Sequence, residues 1–162
     1  MMKRTFVLII TVVLSLALSA CSSNDNQAAI ESKVPPKAMA DQMLQQIEQP
    51  KLMELESGLV EQLYRLDPAL LEAYSIRTPL MNVKTNEIAI IKVKNAKDVA
   101  KVEMAIKQRA ADVQKHFETY LPDQYEIAQN YKLVTKGNYV FFVISDKADD
   151  FVKAFESFFG SK

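Results

Sequence analysis

The 162-residue chain contains few of the residues on which many functional sites depend. It has one cysteine, so an internal disulfide and a cysteine-based metal cluster are excluded. One histidine and no tryptophan are present, which removes most histidine-rich metal sites. Only three glycines occur, and the chain contains no Gly-x-Ser-x-Gly, His-Glu-x-x-His or phosphate-binding glycine motif. We therefore expect no metal, no cofactor and no catalytic residues.

The chain also has no excess of charge of either sign, with 20 basic and 20 acidic residues. Proteins that bind nucleic acid need a marked basic excess, so we expect no nucleic-acid partner. Hydrophobic residues make up 49% of the chain and charged residues 25%, which is the balance of a globular protein rather than a disordered one.

Residues 1–20 have the pattern of a targeting segment. Lys3 and Arg4 precede an apolar stretch over 6–18, and small residues lead to Cys21, the only cysteine. The sequence Leu18-Ser19-Ala20-Cys21 resembles the lipobox of a bacterial lipoprotein signal. That resemblance implies cleavage before Cys21 and acylation of its thiol. The alternatives of an ordinary secretory signal or a signal anchor, with a chance cysteine, stay open.

Acylation of Cys21 would place the protein outside the cytoplasm, anchored to the cell membrane by lipid, and at the cell surface in a Gram-positive cell. Two or more acyl chains hold a protein on a membrane stably. Cleavage would remove two basic residues and no acidic one, which leaves 18 basic against 20 acidic side chains. The mature surface is therefore not polybasic, and we expect the lipid alone to be the anchor.

Composition divides the chain into three parts: a signal peptide at 1–20, the lipidated cysteine with a flexible tether at 21–36, and a single domain at 37–162. The tether is polar and turn-rich. The domain begins with a helical pattern of apolar residues at 39, 43, 44 and 47, which Pro50 stops. A second short helix is predicted around 59–63, and Asp67-Pro68 predicts one further helical turn.

The rest of the domain shows two strand–strand–helix units. The first has a strand at 73–83, which Pro79 makes an edge or bent strand, a strand at 87–94 and a helix at 97–119. The second has strands at 130–136 and 139–144, joined by a Gly137-Asn138 turn, and a helix ending at Gly160. Asn95 with Asp98, and Asp146 with Asp149, are predicted capping pairs.

These elements predict an α+β domain in which two ββα units form a four-stranded antiparallel sheet. Its helices pack on one face, and N-terminal helices precede it. Strand 139–144 is apolar on both faces, so something must cover the second face. The candidates are the N-terminal helix, the 59–66 segment, a dimer contact or a ligand groove.

From about residue 63 to 158 the sequence resembles a family of small surface lipoproteins of Gram-positive bacteria, catalogued as domain of unknown function 4358. The residues that carry the resemblance are Leu63-Tyr64, Asp67, Asn82-Val83, Glu87 to Val93, Arg109, Tyr120 to Tyr125, and Gly137 to Val140. The resemblance implies the fold and the envelope location, and it brings no activity.

Four residues are candidate ligand or partner contacts: Glu87, Lys92, Tyr120 and Tyr125. Glu87 and Lys92 interrupt an apolar strand on opposite faces. Lys92 is either a rim lysine that blocks edge pairing or a basic spot beside an apolar groove for an anionic ligand or peptide carboxylate. Tyr120 and Tyr125 flank a helix-to-strand connection that either carries a binding loop or anchors itself on the core. His116 is expected to interact with the helix dipole rather than to act in catalysis.

The sequence therefore predicts a membrane-anchored, non-enzymatic binding or accessory module for an envelope protein, a peptide or a wall component. The alternative is an acid-dependent hydrolase of envelope material that uses two of Asp123, Glu126 and Glu87. A solvated surface is the simpler interpretation of Asp123 and Glu126, because acids are common in loops and at helix starts.

Overall fold

The structure is a computed structural model, and it describes residues 30–160. The predicted signal peptide at 1–20, Cys21 and residues 22–29 of the predicted tether lie outside the described residues.

Five helices and five strands follow one another along residues 30–160. The helices are α1 (Pro36–Gln46), α2 (Ser57–Tyr64), α3 (Val99–Phe117), α4 (Pro122–Gln129) and α5 (Ala148–Ser157). The strands are β1 (Leu52–Glu54), β2 (Leu71–Pro79), β3 (Glu87–Val93), β4 (Lys132–Lys136) and β5 (Tyr139–Ile144). Two short 3₁₀ turns are Pro68–Leu70 and Ala96–Asp98.

The strands form one antiparallel sheet in the order β1-β2-β3-β5-β4. The α+β class and the antiparallel sheet are thus confirmed, with five strands instead of the predicted four. β3 and β5 lie at the centre, and their register pairs Glu87 with Ile144 and Lys92 with Tyr139. Every residue of β5 is buried, which explains why this strand is apolar on both faces.

Helices cover both faces of the sheet, whereas the sequence placed the two long helices on one face. α2, α3 and α4 pack with Ala89, Ile91 and Phe142 on the first face. α1 and α5 pack on the second face, where the Phe155 ring stacks on Phe141. The apolar stripe of α5 therefore covers the face of β5 that α3 does not contact. α1, the N-terminal helix that the sequence predicted as a cover, packs on the same face. The 59–66 segment, the other predicted cover, lies on the first face.

Several local predictions are wrong. The edge alternative for the end of β2 is wrong, because the three-residue strand β1 pairs with its last residues and Leu52 lies opposite Pro79. The 120–125 connection contains α4, in which Pro122 occupies the first turn. The two predicted capping pairs do not cap by side-chain hydrogen bonds. The turn before α5 is instead held by Ser145 Oγ, which accepts a hydrogen bond from the Lys147 amide at 2.8 Å.

Residues 30–35, within the predicted tether, lie against the domain, and we call them the strap. Glu31 accepts a hydrogen bond from the Tyr139 hydroxyl at 2.9 Å and forms an ion pair with Lys92 at 3.0 Å. Ser32 Oγ donates to the Phe158 carbonyl at 2.8 Å. The strap thus joins the beginning of β5 to the end of α5.

Candidate functional site

A cleft of about 310 Å³ opens between α3 and the connection from β2 to β3. Its position is fixed by the sheet, since it lies at the end where β2 finishes and β3 begins. The connection contributes Asn82, Lys84 and Thr85, and the second half of α3 contributes Arg109, Val113, His116 and Phe117.

A buried ion pair forms one wall of the cleft. Glu87, the first residue of β3, is 1% exposed, and Arg109 of α3 is 18% exposed. Arg109 Nε donates to Glu87 Oε1 at 2.9 Å, and Arg109 Nη2 donates to Oε2 at 2.7 Å. This two-pronged geometry satisfies both carboxylate oxygens and joins α3 to the central strand.

Tyr64, the last residue of α2, completes this buried cluster. Its hydroxyl donates to Glu87 Oε1, and its ring centroid lies 5.7 Å from the Arg109 guanidinium carbon. Burial foremost, and the adjacent Glu87 charge, raise the pKa of Tyr64 well above its ordinary value. For Arg109, burial lowers the pKa, but the hydrogen bonds and charge of Glu87 outweigh it and raise the pKa above its ordinary value. The cluster is therefore a fixed structural wall, with every donor to Glu87 supplied from within the domain.

The opposite wall is the β2–β3 connection, which is held in place by Tyr120, between α3 and α4, and by Gln124 of α4. The Tyr120 hydroxyl donates to the Asn82 carbonyl at 3.0 Å, and the Thr85 amide donates to Gln124 Oε1 at 3.1 Å. The Tyr120 ring stacks on Phe117 with 5.6 Å between centroids. Both walls are thus ordered by contacts within the domain.

Exposed apolar side chains lie beside the cleft, in and next to the loop that forms one of its walls. Leu80, Met81 and Val83 are exposed in the β2–β3 connection, and Tyr120 is exposed beside it. We call these four residues the apolar rim. Single exposed apolar residues are ordinary on a protein surface, whereas a group of them beside a cleft is typical of a contact surface.

The structure brings two of the four predicted contact residues to this cleft. Glu87 lines it, and Tyr120 holds its loop. Tyr125, within α4, is half-buried and packs against the core of the first face. It therefore anchors the connection, which is the alternative the sequence had left open.

Lys92 lies elsewhere, at the other end of β3. Its ammonium group pairs with Glu72 at 2.8 Å and with Glu31 at 3.0 Å. The hydrogen bond with Glu72 foremost, and that with Glu31, raise the pKa of Lys92 above its ordinary value against the effect of partial burial. Carboxylates of the domain thus occupy the position in which the sequence placed an anionic ligand.

The other titratable candidates do not assemble into one site. Asp123 and Glu126 are exposed on α4, and each borders a cavity different from the one that Glu87 lines. Asp123, Glu126 and Glu87 therefore do not meet in one cavity, and the carboxylate that shares the cleft with Glu87 is Asp112. His116 lines the cleft near the C-terminal end of α3, with its ring 5.8 Å from that of Tyr120.

Arg109 and Tyr64 were not among the predicted contact residues, although both belong to the residues that carry the family resemblance. One signal was available in the sequence. Arg109 falls three residues after Ile106 and four before Val113, on the apolar stripe of its helix. A cation on one buried stripe and Glu87 in a buried strand suggest an ion pair, but the sequence does not show that the two elements meet.

Two further observations concern residues 30–160. This part of the chain has no helix that is both long and apolar enough to cross a bilayer. It also has no group of three or more His, Cys, Asp or Glu side chains placed to hold a metal ion.

Comparison with known proteins identifies a family and nothing finer. The family model described as "Domain of unknown function (DUF4358)" matches residues 45–145, which include β1 to β5, the buried cluster and the cleft. No curated protein and no solved structure matches the chain. Because the family model covers more than half of the sequence, the chain belongs to the DUF4358 family.

Proposed function

We propose that this protein is a membrane-anchored extracytoplasmic lipoprotein, and that it works as a binding or accessory module rather than as an enzyme. In this proposal the cleft and its apolar rim contact an envelope protein, a peptide or a wall component. The observation that carries the proposal is the apolar rim on a cleft whose walls are already ordered.

The order of the cleft supports binding because a preformed site loses less conformational entropy when a partner docks. The loop that carries the rim is fixed by Tyr120 and Gln124, and the facing helix is fixed by the Arg109–Glu87 pair. The apolar rim is thus held out toward solvent instead of folding onto the core.

The size and polarity of the cleft support a modest ligand or a few side chains of a larger partner. A volume of about 310 Å³ is at the small end of the range for ligand pockets. Lys84 and His116 line the cleft, and among residues 30–160 neither forms an ion pair with an acidic residue. They are available to polar or anionic groups, while the rim supplies apolar contact.

The buried cluster supports a non-enzymatic role. A general base must reach a substrate proton, directly or through one water. Glu87 already accepts two hydrogen bonds from Arg109 and one from Tyr64. It serves as a structural anchor of the cleft wall.

In-cell chemical cross-linking of the tagged full-length protein, with capture and mass spectrometry, tests the proposal. The matched control is Cys21→Ala, which cannot be acylated. We expect the native protein to sediment with membranes and to yield a reproducible partner, and we expect both results to be lost in the variant. Equal membrane association of the two forms would overturn lipid anchoring. Turnover of wall or glycan substrate by the purified protein would overturn the non-enzymatic role.

A further inference from the structure

The strap and the cleft lie at opposite ends of the sheet. β3 connects them, since Glu87 begins the strand at the cleft and Lys92 lies near its other end, where it pairs with Glu31 of the strap. A strand of this length spans about 20 Å. α1 runs from the strap along the second face of the sheet. Gln49, which follows α1, donates a hydrogen bond from its Nε2 to Oγ of Ser145, the residue after β5.

The strap is attached by several independent contacts. Glu31 bonds Lys92 and Tyr139, and Ser32 bonds the Phe158 carbonyl. The backbone of Ile30 lies over the β4–β5 hairpin, so closely that a Cβ at Gly137 would be 3.0 Å from the Ile30 carbonyl oxygen. Ile30, the first described residue, therefore lies at the hairpin end of the domain.

The length of chain between Ile30 and Cys21 limits how the domain can stand on a membrane. Residues 22–29 separate the two positions. Fully extended, this segment spans at most about 30 Å. To bring the cleft to the bilayer, the segment would have to run back beside the domain for about 20 Å of that length. Such stretching restricts the conformations of the segment, so it is disfavoured.

We infer that the strap sets the orientation of the domain on the membrane, so that the cleft and its apolar rim face away from the bilayer. This inference rests on the proposed lipid anchor. It also narrows the class of partner. A surface that points away from the bilayer fits a partner that approaches from the membrane-distal side. It does not fit the lipid surface on which the protein is anchored.

Resonance energy transfer on the lipidated full chain tests this inference. A fluorescent donor is placed at Met81→Cys on the rim or at Lys97→Cys in the turn that follows β3 at the strap end. Both positions are exposed, and the acylated Cys21 does not react with the dye. The acceptor is a headgroup-labelled lipid in phosphatidylglycerol–phosphatidylcholine vesicles. Because the two ends lie about 20 Å apart, we expect about twofold more transfer from position 97 than from position 81.

A second pair of variants tests the strap itself. Glu31→Gln combined with Ser32→Ala removes the ion pair with Lys92 and the hydrogen bond to the Phe158 carbonyl. Lys33→Ala changes an exposed strap residue with no hydrogen bond or ion pair among residues 30–160. Release of residues 30–35 would lengthen the attachment by about 20 Å. We expect the difference in transfer between the two positions to shrink in the double variant and to persist in Lys33→Ala.

The outcomes separate the two proposals. Suppose that the protein floats with the vesicles and that energy transfer is equal at the two positions or greater at position 81. The inferred orientation is then wrong, and the lipid anchor stands. If the protein does not float with the vesicles, the anchor is wrong and this inference falls with it.

Discussion

Arg109 and Glu87 form a two-pronged ion pair between α3 and the first residue of β3, with nitrogen–oxygen distances of 2.9 and 2.7 Å. The pair joins the central strand of the sheet to the helix that forms one wall of the cleft. Its burial distinguishes it from the exposed pair between Arg65 and Asp112, one turn further along the same helix. The two pairs thus form a matched comparison of a buried and an exposed ion pair.

Substitution of Glu87 by glutamine should strongly destabilise the domain. The change leaves the buried Arg109 guanidinium without its counter-charge, which typically costs about 3–5 kcal/mol. Asp112→Asn, which breaks the exposed pair with Arg65, should cost about 1 kcal/mol or less. Urea unfolding of both variants measures the two values.

The paired replacement Glu87→Leu with Arg109→Met separates a charge effect from a packing effect. Because no unpaired charge remains and only the Tyr64 hydroxyl loses its acceptor, the double variant should be more stable than Glu87→Gln. Equal unfolding midpoints for Glu87→Gln and Asp112→Asn would contradict the structural role of the buried pair.

Gly137→Ala should destabilise the domain and displace the strap. Gly137 has a φ of +56°, a conformation that costs a residue with a Cβ about 1–2 kcal/mol. The new Cβ would also lie 3.0 Å from Ile30 atoms. Gly58→Ala is the matched control, because Gly58 lies in α2 with open space around it. That change should stabilise the protein by about 0.5–1 kcal/mol. Thermal unfolding that moves in the same direction for both variants would count against this description of the hairpin.

Acid should release the strap through Glu31. Burial raises the pKa of this carboxyl, but hydrogen bonds from Lys92 and Tyr139 outweigh it and lower the pKa below its ordinary value of 4.5. A group with a lowered folded-state pKa stabilises the fold above its ordinary pKa, and this contribution is lost as the pH falls through the folded-state value. The amide resonance of Val34, which bonds Ser32 Oγ, should therefore titrate with a midpoint below pH 4.5.

Two variants check that assignment. Glu31→Gln should abolish this titration, while Glu72→Gln, which removes the other carboxylate partner of Lys92, should keep it. A Val34 titration that is unchanged in Glu31→Gln would show that another group controls the strap.

The sequence predicted elements whose signals are local and strong. β5 is a continuous apolar run with a glycine turn before it, and α3 carries a regular apolar stripe. β1 could not be predicted in the same way, because three residues with a mixed pattern form a strand only through pairing with the end of β2. α4 was missed because the residues from Tyr120 to Tyr125 were interpreted as a helix-to-strand connection, although Pro122 suits the first turn of a helix.

The site was harder to predict than the fold. Glu87 was identified because a carboxylate within an apolar strand is conspicuous. Its partners Tyr64 and Arg109 lie 23 and 22 residues away on two different helices. Local patterns cannot reveal which helix packs over the start of β3. For the same reason Lys92 was taken for a ligand contact, since the strap and β2 that supply its carboxylates are brought to it only by the tertiary fold.

Site-specific photo-cross-linking in cells tests the central claim, that the cleft and its rim are the contact surface. A photoreactive amino acid is placed at Met81 on the rim or at Met104 on α3 away from the cleft. The two positions are nearly equally exposed, at 61% and 64%, so accessibility alone cannot distinguish them. We predict that position 81 yields a discrete adduct and that position 104 does not. Adducts of equal yield at both positions, or an adduct at position 104 alone, would contradict the assignment of the cleft as the contact surface.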